Sequence, residues 1–227
     1  MNNVLYTPLD LPPIPKELTM ERIKDLYHYI PATRDIEQFR KEKKFWMSEW
    51  KVLKLRVNSD IGTDRAHFRG QYSTGEYVWT NEARRLIPET IKWMETYLPF
   101  KQLKYIAALT SNSTVVSHSD LSHKTPAELV KEISNSDPSM YRFLLDGQID
   151  ANSFFVENDR IGKIYTELPD NSPGWAMSAT SCFHGNDQVE GNKKLLLYVM
   201  GDLDLNKHAE LIKKSISRFD SYVIYDK

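Results

Sequence analysis

Apolar positions follow two regimes along the chain. Between residues 103 and 202 they come in short runs bounded by Gly, Asn, Asp and Ser, the pattern of strands joined by turns. The runs are Leu103–Leu109, Thr114–Asp120, Tyr141–Leu145, Ser153–Val156, Lys163–Glu167, Trp175–Phe183 and Lys194–Met200. Such spacing predicts two facing sheets, a sandwich or barrel. One helix interrupts them, over 126–134, because Thr125-Pro126-Ala127-Glu128 is a capping box with proline at the first helical position.

The first hundred or so residues predict a helical region. After the extended lead-in Leu11-Pro12-Pro13-Ile14-Pro15, a helix runs from Met20 to Ile30 and stops before Pro31. Thr33 caps a second, with Asp35 and Glu37 in its first turn and a stripe of Ile36, Phe39, Trp46 and Trp50. Its basic run Arg40-Lys41 and Lys43-Lys44 suits a solvated outer face better than a phosphate site. Loops and short strands follow from Val57 to Thr80, punctuated by Gly62, Gly70 and Gly75. Asn81 caps a further helix, broken near Pro88 and resumed through Ile91, Trp93, Met94 and Leu98. The carboxyl end, Asn206 to Arg218, is amphipathic through Leu211, Ile212 and Ile216 and covers an edge or face of the barrel. The expected fold is mainly β with flanking helices: a helical region over 1–102 packed on a β core over 103–202, then a helix and tail over 203–227, in one structural domain.

Composition narrows the function. With 227 residues, 41% hydrophobic and 27% charged, the chain is of ordinary globular make-up and long enough for a substantial core. A net charge of −1 removes the basic footprint of a duplex nucleic-acid or polybasic membrane binder. The lone Cys182 excludes an intramolecular disulfide framework and a Cys-rich zinc site. No apolar run approaches the ~18 residues of a membrane span, and the first residues lack a basic segment followed by a long apolar one. The expectation is a soluble, cytoplasmic protein acting on a small molecule or on a peptide or protein.

The candidate chemistry lies in the strand-rich part. His118-Ser119-Asp120 ends an apolar β-branched run, and residues two apart on a strand project to one face, so His118 and Asp120 make a preset pair of metal ligands. His184 supplies a third at the end of the run Trp175–Phe183, directly before Gly185-Asn186. Two histidines and one carboxylate form the facial triad of non-haem Fe(II) oxygenases, with positions left open for cosubstrate and dioxygen. Lys194 opens the last apolar strand; if that strand pairs with the one before it through Gly185–Asn192, its ammonium lies inside the barrel mouth, suited to a dicarboxylate. Lys193 takes its place if the register slips by one, since parity decides which side chain faces inward. Arg142 is either a bidentate carboxylate contact or a structural ion pair. Around these stand His123 as a substitute ligand, Cys182 as a small core residue, Tyr198 and Thr180 as pocket wall, and His67 and Arg69 as a substrate lid or plain surface loop.

From about Lys104 to Asp202, these residues resemble the double-stranded β-helix (jelly-roll, cupin-like) core of the Fe(II)- and 2-oxoglutarate-dependent oxygenases. Within that superfamily Leu103–Asp120, Tyr141-Arg142-Phe143-Leu144, Gly174-Trp175 and His184-Gly185-Asn186 are similar to the aspartyl/asparaginyl β-hydroxylase branch. The resemblance implies iron on His118, Asp120 and His184, the distal carboxylate of 2-oxoglutarate on the basic residue of the last strand, dioxygen as co-reactant, and hydroxylation of a C–H bond in a protein side chain or amino-acid-like molecule. Two positions depart from it. The branch has arginine where this chain has Lys194, although prolyl 4-hydroxylases use lysine at that position, and it has an Arg-x-His where this chain has Arg142-Phe143-Leu144. Other readings are a zinc hydrolase on the same ligands, against which stands the absence of H-E-x-x-H, a non-catalytic jelly-roll binding module, and an adaptor using its aromatic N-terminal helices.

Overall fold

A computed structural model of the protein describes residues 3–26, 28–30, 50–59, 75–111, 115–118, 137–148, 154–178, 181–187 and 194–226. In chain order its elements are β1 (Val4–Pro8), β2 (His28–Ile30), β3 (Trp50–Asn58), β4 (Tyr77–Trp79), α1 (Asn81–Leu86), α2 (Pro88–Tyr97), β5 (Phe100–Ser111) and β6 (Val115–His118). After these come β7 (Met140–Gly147), β8 (Phe154–Asn158), β9 (Gly162–Tyr165), β10 (Gly174–Met177), β11 (Phe183–Asn186), β12 (Lys194–Leu203), α3 (Leu205–Phe219) and β13 (Ile224–Tyr225).

Two antiparallel sheets result. The larger has the order β13-β1-β10-β7-β12-β5-β3-β2, with β4 also on β3, and the smaller has the order β6-β11-β8-β9. Strands β7, β5 and β12 lie at the centre of the large sheet and are buried on both faces, which is why Leu195-Leu196-Leu197-Tyr198-Val199 reads as a continuous apolar run rather than an alternating one. One face, with Tyr141, Phe143, Leu195, Leu197 and Val199, packs against Leu86, Trp93 and Met94 of α1 and α2 and Ile212 of α3. The other, with Met140, Trp175, Met177 and Leu196, packs against Phe154 and Val156 of the small sheet. Each such fully buried side chain contributes roughly 1.5–3 kcal/mol.

Local chemistry sets the helix ends. The Thr80 hydroxyl accepts from the Ala83 N–H at 3.1 Å and so starts α1 one residue before the expected cap, while Pro88 takes the first position of α2. The Glu17 carboxylate accepts from the Thr90 N–H at 2.7 Å, tying the lead-in segment to the α2 N-terminus. Asp10 is buried against Lys214 (2.9 Å) and Arg218 of α3, and its backbone N–H donates to Ser215 Oγ at 2.9 Å. The Tyr141 hydroxyl meets His208 Nδ1 at 2.6 Å, fixing α3 on the large sheet.

The expected facing sheets, the split helix around Pro88 and the C-terminal helix are present. The helical N-terminal region is not confirmed: the described part of 1–102 holds β1 to β4 and the start of β5 besides α1 and α2, and these strands are all built into the large sheet. Met20 to Leu26 is a set of turns, and His28–Ile30 is a strand paired with Trp50–Val52. Ile30 precedes Pro31, and a residue before proline is pushed to extended backbone, which permits a strand as readily as it ends a helix. Trp50 opens β3 instead of closing a helical stripe; residues 31–49, and the helix expected over 126–134, lie outside the described residues. The run Trp175–Phe183 divides into β10 in the large sheet and β11 in the small one. A single apolar run thus serves two layers, a change of sheet that periodicity does not register.

Candidate functional site

In the small sheet β11 lies between β6 and β8, with His184 opposite His118 on one side and Val156 on the other. Directly opposed residues of an antiparallel pair share a face. Val156 is fully buried in the core between the sheets, so positions 118 and 184 both lie on the inner face. His184 is 5% exposed with its ring 6.2 Å from that of Phe154, whereas Phe183 beside it is 52% exposed. His184 therefore lies inside β11 rather than before a turn at Gly185. Asp120 lies just beyond the described end of β6.

Lys194 does not enter by the expected route. β12 and β11 are in different sheets and do not pair; β12 pairs with β5 and β7, and Lys194 stands opposite Gly147. The large sheet nonetheless brings the ammonium against β11. Lys194 is buried and its Nζ donates to Asn186 Oδ1, two residues beyond His184 on the facing strand. The lysine meets β11 across the sandwich rather than through a hairpin.

Arg142 is almost wholly buried, opposite Tyr198 on one side and Trp175 on the other. Its guanidinium carbon lies 3.5 Å from the Tyr198 ring centroid and Nη1 donates to the Tyr141 carbonyl at 3.0 Å. Such stacking over a half-buried ring contributes about 1 kcal/mol. Cys182 is core: its thiol, 3.6 Å from the Ser178 carbonyl, is pushed up to about 12, first by burial and then by the charges of Asp137 and Asp226, which leaves it an inert thiol. Lys193, His123, Thr180, His67 and Arg69 lie outside the described residues.

Among the described residues no three His, Cys, Asp or Glu side chains cluster as a metal site, and the expected third ligand Asp120 is not among those residues. The described residues offer two histidine positions on one inner face, with a buried cation near the strand of one of them, and imidazole donors of this kind are compatible with a transition metal. Two inner-face groups escaped sequence reasoning. Lys54 is buried within Val52-Leu53-Lys54-Leu55, and Trp175 Nε1 is buried with no hydrogen-bond partner among the described residues. A lysine inside a run that is apolar on both parities was the available signal for the first.

No family model matches the chain, and no curated protein does. Among solved structures it is similar to an oxidoreductase of the 2OG-Fe(II) oxygenase family from Burkholderia pseudomallei, at 10% identity over 81% of this chain and 91% of that one, with a TM-score of 0.41.

Proposed function

We propose that the chain is an Fe(II)- and 2-oxoglutarate-dependent oxygenase that hydroxylates a C–H bond of a protein side chain or small amino-acid-like molecule, on a double-stranded β-helix core of the two facing sheets. The observation that carries this reading is the register of His184 against His118 on the inner face, with Lys194 reaching the same strand from the opposite sheet. His118, Asp120 and His184 hold the metal; Lys194 holds the distal carboxylate of 2-oxoglutarate. Iron bound there with 2-oxoglutarate supplies the activation of dioxygen that C–H hydroxylation requires.

The chain's own groups do the rest. His184 is held in place by buried aromatic surroundings, its ring 6.2 Å from that of Phe154. Lys194 acts as a point charge whose pull on a carboxylate is strengthened by its burial. Phe154 and Trp175, with ring centroids 5.3 Å apart, form an apolar wall that excludes water beside His184.

The test is anaerobic titration of the metal-free protein with Fe(II) and then 2-oxoglutarate, watching for the weak visible charge-transfer band of the chelate. The expected result is a saturable band that His184→Ala abolishes while the far-ultraviolet circular dichroism is unchanged. Iron binding without the band, or a band that survives His184→Ala, overturns the reading.

A further inference from the structure

Asn186 stands on the inner face of β11, two residues beyond His184 and opposite Phe154 of β8, and is half-buried. Both ends of its side-chain amide are engaged. Nδ2 donates to the Asp187 carbonyl at 2.9 Å, and Oδ1 accepts from the Lys194 ammonium of the facing sheet. Partners of opposite kind thus assign which end of the amide is oxygen and which nitrogen. The next residue pins this end of the strand: the Asp187 carboxylate accepts from Lys163 Nζ at 2.8 Å and from the Tyr165 hydroxyl, both on β9. Lys194 comes from the first position of β12, opposite Gly147, which puts no side chain beside the lysine stem.

We propose that Asn186 is a positioning residue that works by exchange: its amide oxygen holds the Lys194 ammonium in the ligand-free chain and gives it up to an arriving carboxylate, the distal one of 2-oxoglutarate. The identity of that anion rests on the oxygenase reading; the exchange at Lys194 rests on the contact itself.

The kind of acceptor is the first reason. A buried ammonium is costly unless an acceptor meets it, so Lys194 requires one before any ligand binds. An amide oxygen is a neutral acceptor. A carboxylate makes a hydrogen bond charged at both ends, roughly twice as strong, and so displaces the amide. An aspartate at position 186 would instead pair with the ammonium as strongly as the ligand does, and the lysine would be closed to it. Burial is the second reason. Lys194 is 7% exposed while Asn186 is half-buried, so when their bond opens water meets the amide oxygen and the ligand meets the ammonium. The bond from Nδ2 to the Asp187 carbonyl is kept throughout, so the exchange requires a side-chain movement and no movement of a strand.

The probe is glutarate, with its diamide as the uncharged control, titrated into the metal-free full chain while the Asn186 side-chain amide is followed by nuclear magnetic resonance, the signal being assigned with Asn186→Ala. Glutarate is expected to shift this signal saturably and the diamide not. Titration calorimetry then gives the affinities of two variants, which should move in opposite directions. Asn186→Ala removes the competing acceptor and is expected to tighten glutarate about 2- to 10-fold, the range of one ordinary hydrogen bond. Asn186→Asp is expected to weaken it about tenfold or more, the range of a hydrogen bond between charged groups. A residue that only supported the strand would weaken binding in both. No response of the native amide signal to glutarate, an equal response to the diamide, an Asn186→Ala affinity no tighter than native, or an Asn186→Asp affinity within about twofold of native overturns the proposal. If a variant does not fold, the comparison of the two probes on the native chain decides. The expected glutarate responses in a chain that gives no iron chelate band remove the oxygenase reading and leave the exchange; a chelate band without them removes the exchange alone.

Discussion

Lys194→Met separates ligand binding from folding more cleanly than any other substitution at this site. Methionine keeps an unbranched stem of similar bulk and removes only the ammonium. On the ligand side, the loss is one hydrogen bond between charged groups in a buried setting, about 1.5–3 kcal/mol, or a roughly 10- to 150-fold weaker affinity for 2-oxoglutarate. On the folding side two effects oppose. Lys194 is 7% exposed as a residue, so its charge carries a desolvation cost that methionine abolishes, while Asn186 Oδ1 loses its donor. Asn186 is half-buried, so water replaces that bond. The net change in stability is within about 1 kcal/mol, which for a chain of this size moves Tm by no more than about 2–4 °C. Anaerobic 2-oxoglutarate titration of the Fe(II)-loaded protein measures the first quantity, calorimetric melting the second, and direct metal titration shows iron affinity unchanged. An affinity for 2-oxoglutarate within about twofold of the native chain, with the variant folded, would refute the role of Lys194 and transfer it to Lys193 or Arg142.

Two further predictions concern the frame. Burial pushes the Asp10 carboxyl up, but hydrogen bonds and charge from Lys214 and Arg218 outweigh it and hold the group below the usual carboxylate range. A depressed native pKa stabilises above the unfolded value of about 3.9 and is lost as pH falls through the lower native one, so Asp10→Asn should flatten the acid limb of the stability curve below about pH 4. Because Lys214 and Arg218 are themselves well exposed, the cost at neutral pH should be about 1–2 kcal/mol, between the exposed and buried ion-pair ranges; melting from pH 3 to 7 checks both. The glycines should divide by mechanism. At Gly174 a Cβ would stand 2.1 Å from the Arg142 carbonyl oxygen, a backbone atom, so Gly174→Ala should cost about 3 kcal/mol or more and displace Arg142. At Gly162, with φ +67° and open space around it, Gly162→Ala should cost only about 1–2 kcal/mol; chemical denaturation ranks the pair, and equal losses would refute the distinction.

Much of this was legible along the chain because its signals are local. Pro88 breaks a helix wherever it stands, the apolar runs of β5, β7 and β12 are strands in any context that buries both faces, and the helix α3 is written in its own period. The candidate residues were legible for the same reason: His118, His184, Arg142 and Lys194 are chemically conspicuous at the ends or centres of such runs. The misreadings share one cause. Met20 to Ile30 and Trp50 have helical spacing, yet strands of the large sheet claim His28–Ile30 and Trp50–Asn58, since a partner strand outweighs a weak local preference.

The sequence by itself determined where strands can form, which positions are apolar on both faces, and which side chains have the chemistry to hold a metal or an anion, because periodicity, caps and donor sets depend only on neighbours in the chain. Only the tertiary structure decided that Trp175 and His184 belong to different sheets, and that Lys194 reaches Asn186 across the sandwich instead of through a hairpin. Those relations depend on which strand lies beside which and in what register, and that is settled by the burial of two whole faces at once, a quantity no short window of residues contains.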